Sequence, residues 1–169
     1  VLTASFVISE DGEESTRNAL RRSLPAGARK LHWTNLDPAR QGKVVSDLLG
    51  LSLMHFVAVR KTTIHETPER SRRACIEVLL YELSQVGVDR AVFESRGKSD
   101  DVRDRKMLDA LRNKRVVDRN FRIDHMPGPA EPLLWIADAV CGAVCESIQN
   151  GGEHGFERQA WILPTNQGY

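Results

Sequence analysis

With 169 residues, 41% of them apolar and 28% charged, the chain has room for one proper hydrophobic core, and its composition is that of a soluble globular protein rather than a disordered one. A net charge of +1 gives no overall pull toward nucleic acid or membrane, and the longest apolar run, about a dozen residues, is shorter than the ~18 to 20 that cross a bilayer. Nothing resembles a secretory leader, and three cysteines without framework spacing exclude a disulfide scaffold and point to a reducing, cytoplasmic location.

Leu2 to Ile8 is rich in β-branched and aromatic residues and reads as a strand, ending at the turn signal Ser9-Glu10-Asp11-Gly12. The sequence opens on Val1 inside that strand and without an initiator methionine, so further residues are expected upstream. Glu13 to Ser23 is an amphipathic helix with Ala19 and Leu20 inward, stopped by Pro25 and Gly27. Arg29 to Trp33 is short and extended. Asp37 followed by Pro38 opens a second helix, whose buried face is Val44, Val45, Leu48 and Leu49.

Met54 to Lys61 is nearly continuous in apolar residues, as suits a strand covered on both faces, and it ends in two cations, Arg60 and Lys61. Thr67-Pro68-Glu69 starts a long helix that buries Ala74, Cys75, Val78, Leu79 and Leu83 and stops at Gly87. Val88 to Glu94 is a strand with an acidic end. Ser99-Asp100-Asp101 caps a basic helix with Val102, Leu108 and Leu111 inward, and Phe121 to His125 is a short edge strand.

Pro132 to Glu146 is the most apolar stretch, a helix that must be buried on nearly every side and that Gly151-Gly152 would end. Asp138 is its one charge between Leu133 and Cys145 and shares a stripe with Leu134, Cys141 and Cys145. Strands alternating with helices define an α/β domain over residues 1–150, a mixed sheet flanked by helices. Residues 151–169 form a C-terminal tail whose apolar patch, Ala160 to Leu163, either packs back on the body or serves an interface.

Among apolar neighbours the Asp138 carboxylate needs a cation or hydrogen-bond donors. It is either a structural ion pair or backbone cap, or a ligand for a divalent metal, for which hard oxygen donors are the right chemistry. Glu94 is open to the same two readings, as a salt bridge with Arg96 or a lysine, or as a ligand. Ligands of open α/β sheets gather beyond the carboxyl ends of strands, where Glu94 and Lys61 both lie. Cys141 and Cys145, one helical turn apart, have no Cys-x-x-Cys or His pair to complete a zinc site. From Arg96 to Arg122 ten Lys or Arg face five Asp, so Arg96, Lys98, Arg103 and Lys106 are candidates for a phosphate-binding surface, or form an ordinary solvated face. No Ser-His-Asp or Cys-His spacing and no glycine-rich phosphate loop is present.

The order of elements, together with Leu31-His32, the strand ending at Lys61, Ala91-Val92-Phe93-Glu94-Ser95-Arg96 and Leu133-Leu134-Trp135-Ile136-Ala137-Asp138, resembles a large bacterial family with a ribonuclease H-like fold. The resemblance runs from about Leu2 to about Cys145. Members of that family begin with a strand ending Asp-Glu-Ser-Gly and finish with a helix reading Leu-Gln-Ile-Ala-Asp. Here the first motif is absent, Trp135 stands where glutamine is usual, and Glu94 stands where an aspartate is common. The resemblance implies a metal-dependent nuclease or related phosphoryl-transfer enzyme, with Glu94 and Asp138 as magnesium ligands and His32 and Lys61 nearby in catalytic roles. The alternative it leaves is a non-catalytic module of the same fold that binds nucleic acid or a protein partner. A homodimer formed through Trp161 and Ile162 of the tail is a further expectation.

Overall fold

Three of the predicted helix ends are built as the local sequence dictates. Asp37 accepts a hydrogen bond from the Arg40 amide at the start of α2 (Pro38–Leu49), and Thr67 does the same for Arg70 at the start of α3 (Pro68–Gln85), each followed by a proline that needs no donor there. Gly151, left-handed at φ 69°, closes α5 (Leu133–Asn150), and its amide returns to the Ser147 carbonyl. The computed structural model describes residues 2–7, 12–61 and 64–165. The remaining elements are β1 (Leu2–Val7), α1 (Gly12–Ser23), β2 (Leu53–Val59), β3 (Arg90–Glu94), α4 (Lys98–Asn113), β4 (Arg122–Met126) and β5 (Ala160–Pro164), with short 3-10 turns at Trp33–Asn35 and Gly128–Ala130. The predicted turn at Ser9, Glu10 and Asp11 and the end of the tail from Asn166 to Tyr169 lie outside the described residues.

The protein is α/β, but its strands divide between two sheets rather than forming one. β1 pairs antiparallel with β2, Leu2 opposite Ala58 and Val7 opposite Leu53, and β2 pairs parallel with β5, His55 opposite Ala160. β3 and β4 form a separate parallel pair, Arg90 opposite Arg122 through Glu94 opposite Met126. Described residues after Asn150 are therefore built into the fold: Ala160 to Pro164 is a strand of the first sheet, and Phe156 is fully buried. Trp161 and Ile162 of that strand stay 46% exposed.

β2 is covered on both faces, as its continuous apolar run requires. Leu53 and Val57 join Leu31, Trp33, Leu48, Ile136, Val140 and Phe156 in one cluster, under α2 and α5. Phe56 and Ala58 join Ile76, Leu80, Leu108, Leu111 and Phe121 in another, under α3 and α4. His55 is fully buried, and burial pushes its imidazole pKa down to about 4. Among the described residues no helix is long and apolar enough to cross a membrane.

Two helix faces depart from expectation. At the end of α2, Leu49 is exposed rather than buried. Val102 is exposed, and the inward positions of the first turns of α4 are taken by Asp101 and Asp104. Leu108 and Leu111 face the core as expected. Two acids displace a valine because neighbouring elements supply the donors that make their burial tolerable.

Candidate functional site

The site begins with three consecutive residues ahead of the first 3-10 turn. Leu31 is buried in the first core, and Lys30 and His32 turn away from it toward two carboxylates. Lys30 Nζ lies 2.7 Å from Glu94 Oε1, at the end of β3. His32 Nδ1 lies 2.9 Å from Asp138 Oδ2, on α5, and the Trp33 amide donates to that same oxygen at 2.8 Å. The partly exposed carboxylate thus obtains the donors its apolar neighbours demand, from an imidazole and a backbone N–H.

The rest of Trp33 fixes this arrangement. Its indole is buried against the backbone of Gly142, where a β-carbon would overlap the ring, and its Nε1 donates to Glu146 Oε1 at 2.8 Å. Gly128 serves Glu94 in the same way: a β-carbon there would stand 2.8 Å from Glu94 Cδ. The Gly128 carbonyl accepts the Trp135 indole N–H at 2.8 Å, which accounts for a tryptophan on the apolar helix.

Glu94 and Asp138 line one cleft of about 720 Å³ between β3, α3 and α5. Their side chains are 44% and 31% exposed. Glu94 Oε2 and Asp138 Oδ1 have no hydrogen-bond partner among the described residues. Magnesium is commonly held by one or two carboxylates together with waters and substrate phosphates, and the chemistry of these two side chains is of that kind. No group of three His, Cys, Asp or Glu is placed to hold a metal among the described residues, so an all-protein cage is not what the cleft offers.

Of the residues singled out from the sequence, His32 and Asp138 touch, and Glu94 shares with Asp138 a cleft whose lining does not include His32. Lys61 is exposed beyond the end of β2 and is not among the residues lining the cleft. Arg60 beside it turns to Glu66 at 2.8 Å and to the Thr165 carbonyl at 2.8 Å. The cation that meets an acid at the site is Lys30, two positions before His32 with a buried leucine between them. In the basic helix, Arg96 is held by Glu69 at 3.2 Å and Arg103 by Asp100 at 2.7 Å. Lys98 and Lys106 are exposed and make no ion pair among the described residues.

A second acidic cluster, missed in the sequence, lies beyond the ends of β3 and β4. Asp104 takes two hydrogen bonds from Arg72, at 2.5 and 3.0 Å, and lies 3.2 Å from His125 Nε2. Asp101 accepts the Ser95 hydroxyl at 2.7 Å and the Arg96 amide at 3.2 Å. Burial alone would push the Asp104 carboxyl up, but Arg72 and His125 outweigh it and hold the group below the usual carboxylate range. The Ser95 hydroxyl, ahead of the Arg96 amide, holds Asp101 low as well. Asp101 and Asp104 share one face of α4 with Leu108 and Leu111, and that spacing was the available signal.

Fold and site together define an α/β protein with a half-exposed pair of carboxylates at the end of a strand and on a buried helix. Compared with protein families, with curated proteins and with solved structures, the chain gives no match.

Proposed function

We propose that the chain is a ribonuclease H-like protein of the phosphoryl-transfer class, acting on nucleic acid as a metal-dependent nuclease or a close relative of one. The observation that carries this reading is that Glu94 and Asp138, from separate elements, face one cleft and each keeps a carboxylate oxygen available. A magnesium ion held there with the substrate would neutralise charge on a phosphodiester and position an attacking water. The chain's own residues do the remaining work. Lys30 anchors Glu94 through one oxygen, which leaves the other available. Asp138 orients the His32 ring through Nδ1, which leaves Nε2, unpartnered among the described residues, able to accept a proton. Lys98, Arg105 and Lys106 are the cations of α4 without an ion pair among the described residues, left to meet a phosphate backbone, and a cytoplasmic location belongs to the same proposal.

Manganese titration by calorimetry, with and without a single-stranded oligonucleotide, tests the proposal. Tight binding that needs both Glu94 and Asp138, accompanied by strand cleavage, is expected. Absence of metal binding in both conditions would overturn the enzyme and leave the second reading, a non-catalytic module of the same fold. That second reading is favoured by the cation or donors that each carboxylate already holds. Self-association through Trp161 and Ile162 belongs to either reading and is measured by light scattering.

A further inference from the structure

The cleft that holds Glu94 and Asp138 continues along the whole of β3, from Val88 to Arg96, with α3 on one side and α5 on the other. Among the described residues that strand has only β4 as a partner. The Asp89 carbonyl accepts from the Arg122 amide, and the Ser95 amide donates to the Met126 carbonyl, so odd-numbered residues from 89 to 95 turn their backbone toward β4. The N–H and C=O groups of Arg90, Val92 and Glu94 consequently point the other way, into the cleft, where no strand meets them among the described residues.

On the α5 side of this open edge Leu133, Leu134 and Ala137 keep part of their apolar surface, while Ile76, Leu80 and Leu83 of α3 and Ile136 of α5 are core residues that back the groove. Four arginines and four acids line it, Glu94 and Asp138 among the acids, so the lining carries no net charge; Arg17 pairs with Glu131, Arg72 with Asp104 and Arg90 with Asp124. An edge of unpaired peptide groups beside the partly exposed apolar flank of α5, with no net charge around it, is complementary to an uncharged extended backbone, which supplies hydrogen bonds to β3 and apolar side chains to α5. A two-stranded sheet is also marginal by itself, and a third strand would complete it. We infer that the groove along β3 is an acceptor for an extended, uncharged, β-branched segment of another polypeptide, which adds to β3 as a strand. This inference does not depend on the catalytic reading.

The probe is a fluorescein-labelled peptide, acetyl-Lys-Val-Thr-Val-Thr-Val-Lys-amide, with an otherwise identical peptide N-methylated at alternate residues as its control. Binding by the first peptide should be at least tenfold tighter than by the second, and amide exchange at Val92 and Glu94 should slow at least tenfold in the complex. Val92→Pro removes an edge donor without touching the β4 ladder, a place where proline is tolerated, and should weaken binding at least tenfold. Ala137→Trp, which fills the channel from a partly exposed helix position, should do the same if the proline variant fails to fold. Equal binding of both peptides would reduce the groove to an apolar pocket and overturn strand addition, as would no binding at all. A dimer in light scattering whose dissociation alone releases the Val92 amide would make a second copy the occupant and overturn the assignment to another polypeptide.

Discussion

The molecule contains two clusters of acids met by bases, and they are built on opposite principles. Around Asp104 the charges are closed in: its side chain is 3% exposed, it is clamped by Arg72, and Asp101 beside it has both oxygens engaged. Around Asp138 and Glu94 the charges are held but not consumed, because each acid is about a third or more exposed and has one oxygen to spare. A closed network fixes the junction of α3, α4 and the second sheet. An open one offers itself to a ligand. Burial of the acids and the number of their oxygens already engaged, rather than the count of acids, tell the two apart.

Substitutions should separate the clusters by size of effect. Asp104→Ala leaves the partly buried Arg72 and the His125 ring without their acid and should cost about 3 kcal/mol in urea unfolding. A methyl group forced against Trp33 by Gly142→Ala should cost about 1 to 3 kcal/mol and shift the indole emission, since ring and helix backbone cannot both stay in place. Asp138→Asn, half-exposed and still hydrogen-bonding, should cost only about 1 kcal/mol while abolishing manganese binding. If it instead destabilised as much as Asp104→Ala, the contrast between the clusters would fail. Lys30→Met should change stability by a few tenths of a kcal/mol and tighten manganese binding, because it removes an ammonium that competes for Glu94.

Acid titration sharpens the same contrast. Asp104 and Asp101 ionise more readily in the folded protein than in the unfolded chain, where an aspartate titrates near about pH 4. Their contribution to stability is therefore complete above that value and is lost as pH falls toward the lower folded pKa. The urea midpoint of the native protein should drop across this window, and Asp104→Asn should flatten that part of the drop.

Much of this was legible from residue order. Capping residues before prolines located α2 and α3, the apolar run of β2 announced a strand covered on both faces, and a lone aspartate in an oily helix announced a need for donors. What escaped were partnerships across the chain. Nothing local to Lys30 says that Glu94 will be its neighbour, and Lys61, at a strand end, is the more obvious cation. Asp101 and Asp104 were lost in the charge of a basic helix, and Val102 was placed inside because apolarity was weighed without asking whether an arginine on α3 could accompany an acid inward. The separation into two sheets is likewise a matter of which edges meet, and that is not encoded in the periodicity of any one strand.

Leu31 has a consequence for how this region tolerates change. Pinned in the core, it acts as a pivot, and the two backbone steps from Lys30 to His32 span at most about 7 Å. The two basic side chains are thereby gauged by chain length rather than by their own flexibility. Inserting or deleting one residue here would send the imidazole inward and the leucine to water. Between Arg29 and Trp33 the spacing is therefore less forgiving than the identity of either base.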